Sequence, residues 1–233
     1  MLLAVISDLH ANLQATEATL EELDRIGPDR VICLGDLIGY GPNPEEVVNL
    51  IRERGYETVK GNHDAVVNGA MSFKFFREPN QTLLKKSVEM LSPENKSWLG
   101  GLPMTIESDN WIAAHAHPLE PGKWGYLDSV LKCHELLRQV SHDIVFVGHT
   151  HIGGIVANEF GVFGLKEGYK YVINPGSVGQ SRDKDYRASF LTIDLSANTH
   201  EFIRVKYDIK ETLKAYDRLG IKSSHARFLM QLR

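Results

Sequence analysis

"RVICLGDLIGYGPNPEEVVNLIRERG", residues 30–55, holds two kinds of order side by side. The run "RVICL" is apolar, β-branched and too short for a helix, so it reads as a buried strand. It stops at Gly35 and Asp36 and gives way to a glycine-rich loop. A helix then opens with Asn43 as N-cap, Pro44 at the first position, and Glu45 and Glu46 in the first turn. Arg52 and Arg54 suit its negative carboxyl end, and Gly55 ends it. A strand feeding a helix through a short loop is half of a βαβ unit. The fold class is therefore α/β.

The pattern repeats outward. "LLAVISD" (2–8) is a strand, and "NLQATEATLEELDRIG" (12–27) is a helix carrying Leu13, Leu20 and Leu23, with Gly27 as its stop. "YETVKGNHD" (56–64) supplies a third strand. Residues 65–102 read as a helical insertion, in which "SPENKSWLGG" repeats the serine-cap, proline, glycine-stop order. "MTIESDNWIAAHAH" is a hairpin turning at 107–110, "LDSVLKCHELLRQV" a helix and "DIVFVGHTH" a strand. Antiparallel strands follow through 153–209, and 210–233 read as a helical tail of one domain, 1–233.

Composition bounds the function. A chain of 233 residues that is 42% hydrophobic and 24% charged can bury a sizeable core. Its net charge of -4 argues against a nucleic-acid backbone as main partner, so any anion site is local. Cys33 and Cys133 make no disulfide framework or zinc spacing, which fits a reducing compartment, the cytoplasm. The opening "MLLAVISD" is too short for a signal peptide or a membrane span.

The decisive feature is where the polar residues fall. Five strand ends carry Asp8 and His10, Asp36, Asn62 and His63, His115, and then His149 and His151. In open α/β sheets ligands bind outside the carboxyl ends of strands. Each piece alone has a bland reading: a chance "DLH", a capping Asp36, an Asn/Gly turn, a surface "HTH". None of these explains all of them at strand ends. Imidazole, carboxylate and one amide without thiolate suit Mn²⁺, Fe, Ni²⁺, Co²⁺ or Zn²⁺. Seven candidate ligands exceed one four-coordinate ion and suit two ions that share a carboxylate.

"DLH", "GDLIGYGPNP", "GNHD", the strand-end His115, "GHTH" and "NPGSVGQ", together spanning 8–180, closely resemble the calcineurin-like metallophosphoesterases. Within them the chain is similar to the small prokaryotic branch related to diadenosine tetraphosphatase. The resemblance implies a four-layered α/β/β/α sandwich of two mixed sheets. It implies Asp8, His10 and His151 on one metal, Asn62, His115 and His149 on the other, and Asp36 bridging. It makes His63 the general acid, with Asp64 orienting it, and a hydroxide between two ions, Mn²⁺ first among them, the nucleophile. Gly148, Gly153 and Gly154 would let a tight loop aim two imidazoles.

Some residues carry two readings. His115 and His117 fall on one side if the strand continues; the family pattern favours His115 and leaves His117 near the substrate. No arginine follows "GD", so Arg182 or Arg187 either replaces that phosphate clamp or is a solvated charge. The aromatics at 73–76 pack a helix or help cover the site's mouth, while His134, His142, His200 and His225 read as surface or packing residues. The expected activity is hydrolysis of phosphate esters or anhydrides, on a phosphorylated small molecule or, by the resemblance, a nucleotide. A non-catalytic scaffold of the same fold and a nuclease are the alternatives; intact ligands argue against the first and the acidic balance against the second.

Overall fold

The computed structural model describes residues 1–222, 224, 226 and 227. Its first sheet joins β1 (Leu2–Ile6), β2 (Arg30–Cys33), β3 (Glu57–Thr58), β9 (Ala188–Asp194) and β10 (Thr199–Val205) in the order β10-β9-β1-β2-β3. The second joins β4 (Thr105–Glu107), β5 (Trp111–Ala114), β6 (Ile144–Val147), β7 (Gly154–Ala157) and β8 (Tyr171–Asn174) in the order β4-β5-β6-β8-β7. Both are mixed: β1–β2–β3 and β5–β6–β8 run parallel, and their flanking strands antiparallel.

The period-two alternation of the strands produces the layers. In β1, Leu3 and Val5 face Trp111, Phe146 and Ile173 of the other sheet. Ala4 and Ile6 face the opposite way, into a core shared with Leu20, Leu23, Val47 and Ile51 of α1 (Leu13–Ile26) and α2 (Pro44–Arg54). On the far side of the second sheet, Val145, Val147 and Val172 pack on Cys133, Leu136 and Leu137 of α5 (Val130–Gln139). Helix, sheet, sheet, helix: the four layers are those expected. No helix among the described residues is long and apolar enough to cross a membrane.

Local details depart from the expected grammar. Asn43 stands before α2, but its side chain makes no capping bond; it turns instead to Glu46. Ser92 does cap α4 (Pro93–Gly101), yet Gly100 and Gly101 lie inside that helix and Leu102 follows it without a left-handed turn. The segment between β3 and β4 contains α3 (Asn80–Met90), α4 and two short 3₁₀ turns. In the tail the described helix is α6 (Ile209–Arg218), and the expected helix beyond 227 lies outside the described residues, as does His225.

Candidate metal centre

All the expected ligands meet in one buried cluster, each at most 7% exposed. Two triads have ligand atoms within 4.8 Å of one another: Asp8, His10 and His151, and Asp36, His115 and His149. A third, His10, Asp36 and His63, links them. Asn62 Oδ1 lies 3.1 Å from His115 Nε2. Asp36 Oδ2 stands between the halves, 3.7 Å from His10 Nε2 and 3.3 Å from His115 Nε2.

The backbone prepares the side chains for a cation. His10 Nδ1 meets the carbonyl of Ile38 at 3.1 Å, His115 Nδ1 that of Leu34 at 2.8 Å, and His151 Nδ1 that of Gln180 at 2.6 Å. A carbonyl only accepts, so Nδ1 carries the hydrogen and Nε2 turns inward. His10 Nε2 and His151 Nε2 then face each other at 3.1 Å, a separation two lone pairs tolerate only with positive charge between them. Each carboxylate divides its oxygens in the same way. Asp8 Oδ2 accepts from Ser7 Oγ and the His149 N–H, while Oδ1 is buried without a hydrogen-bond partner among the described residues. Asp36 Oδ1 accepts from the His63 N–H, leaving Oδ2 to the centre. A divalent ion on each side fits these donors.

The titration of the cluster agrees. Burial opposes ionisation of Asp36, but His115, His63 and His10 hold it well below the usual carboxylate range. Burial likewise opposes ionisation of Asp8, and His151 and His115 outweigh it. Burial also opposes charge on His115, but Asp36 and Asp8 carry it up to about 9. Burial, with His115, pushes His149 down to about 3. A proton thus occupies a place where a metal would sit.

Strain is concentrated in the candidate ligands. Asp8, His10, Asp36, His149 and His151 all have left-handed backbones, with φ between 48° and 66°. Such residues cost about 1–3 kcal/mol each and persist only where surrounding contacts enforce them. Here the enforcing bonds run from loop to loop: Asp8 N–H to Gly35 O, His10 N–H to Asp36 O, Gly179 N–H to Asp8 O. The expected role for glycine needs correcting. Gly148 is required by contact, since a Cβ there would lie 2.0 Å from Ser7 Oγ, but Gly154 has open space and the histidines make the left-handed turns themselves.

Other expectations also change. Asp64 does not touch the His63 ring: its oxygens accept the N–H groups of Asp36, Leu37 and Gly61, tying the two ligand loops together. His63 Nδ1 is buried without a hydrogen-bond partner among the described residues, against Gly39, and its Nε2 is 4.0 Å from Asp36 Oδ2. His117 lies outside the cluster, because β5 ends at Ala114 and the chain bends through 115–116. Arg182 reaches the cleft and bonds Tyr40 Oη and Gln180 Oε1, both at 3.2 Å; Arg187 pairs with Asp185 instead. His134, His142 and His200 contact Phe160, Glu107 and Phe202.

Some supporting residues had no legible role. Asn174 Nδ2 donates to the carbonyl of Gly148 at 2.7 Å, and Ser177 Oγ to that of Asp8 at 2.8 Å, so "NPGS" clamps the ligand loops. Tyr40 packs on His10 and His63, and its carbonyl accepts from Tyr216 Oη of α6 at 2.8 Å. The cluster opens into a cleft of about 650 Å³.

Relatives in sequence and in structure point to one family. The chain is 38% identical to the uncharacterized protein MJ0912 of Methanocaldococcus jannaschii, covering 94% of this chain and 91% of that one. It is 28% identical over 128 residues to the phosphodiesterase YfcE of Escherichia coli, covering 50% of this chain and 70% of that one. A metallophosphoesterase from Sphaerobacter thermophilus superposes with a TM-score of 0.83 at 31% identity, covering 98% of both chains. The sequence model of the calcineurin-like phosphoesterase superfamily domain matches residues 1–198. The chain belongs to that superfamily and is a metal-dependent phosphoesterase.

Proposed function

We propose that the chain hydrolyses phosphate esters or anhydrides with two divalent ions, one held by Asp8, His10 and His151 and one by Asn62, His115 and His149. Asp36 lies between them. The observation that carries this reading is the pair of triads meeting at Asp36, with inward nitrogens and an orphaned Asp8 oxygen where cations belong. Two such ions would supply the Lewis acidity that makes a nucleophile of water at neutral pH and offsets charge on phosphoryl oxygens. Nitrogen and oxygen donors without thiolate suit manganese, iron, nickel, cobalt or zinc, and manganese is the metal proposed first, as the family resemblance implies.

The protein groups do the rest. Arg182, steadied by Tyr40, would draw a phosphoryl oxygen into the cleft. His63 would give its Nε2 proton to the departing oxygen. Burial pushes His63 down to about 4 against the pull of Asp36, so alone it is neutral at working pH. A phosphoryl dianion beside it favours the charged ring, so the proton is taken up with the substrate. Asp64 positions both loops through their backbones.

The test is a screen of the manganese-loaded protein on p-nitrophenyl phosphate, bis-p-nitrophenyl phosphate, diadenosine tetraphosphate and single-stranded DNA. Turnover of at least one small ester, lost on chelation and restored by manganese, is expected. No turnover by protein that holds two ions would refute the proposal, and DNA as the best substrate would turn it toward a nuclease.

A further inference from the structure

We propose that Tyr126 is a positioning residue for the metal site of Asn62, His115 and His149: its ring holds the His149 imidazole in the pose that takes a cation. This rests on the two-ion reading above and concerns a side chain outside the ligand set. Three of the four imidazoles in that set are locked from behind. The carbonyls of Ile38, Leu34 and Gln180 meet the Nδ1 atoms of His10, His115 and His151. His149 is the exception. It turns Nδ1 to the centre, 3.1 Å from His115 Nε2, and its ring has no carbonyl behind it among the described residues.

The backbone of His149 is fixed, since its N–H donates to Asp8 Oδ2 at 3.1 Å. That leaves the side-chain torsions, and a ring free to turn loses that freedom when an ion binds, at a cost in affinity. Tyr126 supplies the missing constraint. Its ring lies flat on the imidazole, with centroids 4.0 Å apart and planes 25° from parallel. His115 meets the same imidazole edge-on at 4.9 Å. A face contact and an edge contact together define one orientation. The stack also responds to charge. An imidazole bound to a divalent ion is electron-poor, and the negative face of a phenol ring attracts it more than it attracts a neutral one. The contact therefore strengthens as metal arrives and adds to affinity.

Little else accounts for the place of this ring. Tyr126 comes from the segment between β5 and α5, is 45% exposed, and belongs to none of the buried apolar clusters. Its hydroxyl makes no hydrogen bond among the described residues, and its one ring contact among them is with His149. It forms a wall between the cleft and a second cavity of about 480 Å³, which Leu127 and Glu135 also line. A ring placed for packing would be buried, and one placed for its hydroxyl would be bonded. The two metal sites then differ in kind: carbonyls lock both imidazoles of one, while a solvent-reaching side chain steadies one imidazole of the other.

The experiment equilibrates crystals of the protein and its variants in graded manganese and reads the anomalous occupancy of each site, which gives a half-saturating concentration for each ion. Tyr126→Leu keeps bulk but has no π face. It should raise that concentration about 3- to 10-fold at the site of Asn62, His115 and His149 and leave the other site unchanged. Tyr126→Phe keeps the face and should match the parent at both sites. Equal weakening of both ions in Tyr126→Leu would mark a purely structural role and overturn the assignment. So would a Tyr126→Phe variant that loses as much as Tyr126→Leu, since the hydroxyl and not the ring would then matter. Two ions held as tightly by Tyr126→Leu as by the parent keep the hydrolase reading and lose this one, whereas a parent that takes up one ion or none loses both.

Discussion

The floor and the rim of the cleft are built on opposite principles. The floor residues are almost fully buried, held by backbone bonds between loops and strained at five of the seven candidate ligands. The rim residues Phe75 and Tyr126 are exposed, and Arg77 has no ion pair among the described residues. A metal site demands nitrogens and oxygens fixed against repulsion, which a tightly packed scaffold enforces. Tyr126 reaches down from the rim to one candidate ligand. The comparison predicts that chemistry fails sharply when the floor is altered, while changes at the rim act more mildly.

The sharpest break is at Asp36. Asp36→Asn should remove metal binding and activity together, read by elemental analysis and turnover on the same sample; a variant keeping two ions and full rate would show that the halves do not depend on this carboxylate. His63→Asn should keep both metals and lower kcat by about 10²–10⁴ for poor leaving groups, with a smaller loss for p-nitrophenolate. Equal losses for alkyl and nitrophenyl esters would deny His63 its role as acid.

A pH series sharpens the floor further. His115, raised to about 9, holds a proton at pH 7 that an ion must displace. Metal uptake should therefore release a proton, and affinity should rise about tenfold per pH unit below 9 from this group alone. Calorimetry in buffers of different ionisation enthalpy measures that release, and an affinity independent of pH would contradict it.

The smallest expected effect lies between floor and rim. Tyr216→Phe removes one buried hydrogen bond, worth about 0.5–1.5 kcal/mol, from the carbonyl of Tyr40. Tm should fall by about 2–4 °C per kcal/mol, and KM should rise more than kcat falls, since Tyr40 hydrogen-bonds Arg182 but only packs on the rings of His10 and His63. An equal change in both constants would make the effect purely structural.

Much of the floor was legible because its signals are local. Strand patterns, helix stops and ligand types lie within a few residues of each other, as in 30–55 and 148–154. What escaped depends on long-range packing. Asp64 sits beside His63 in sequence, yet its carboxylate accepts from the N–H groups of Leu37 and Asp36, 27 and 28 residues away, and from that of Gly61. His117 left the site when the strand ended early, since alternation holds only while the backbone stays extended. Tyr216 meets Tyr40 across 176 positions, and no local pattern announces that contact.

Two cations in one cage are what the chemistry requires. Crystals soaked in manganese and measured at its absorption edge should give two anomalous peaks about 3.5–4 Å apart, one on each side of the Asp36 carboxylate. A single peak, no peak, or peaks away from the inward-facing imidazoles would contradict it.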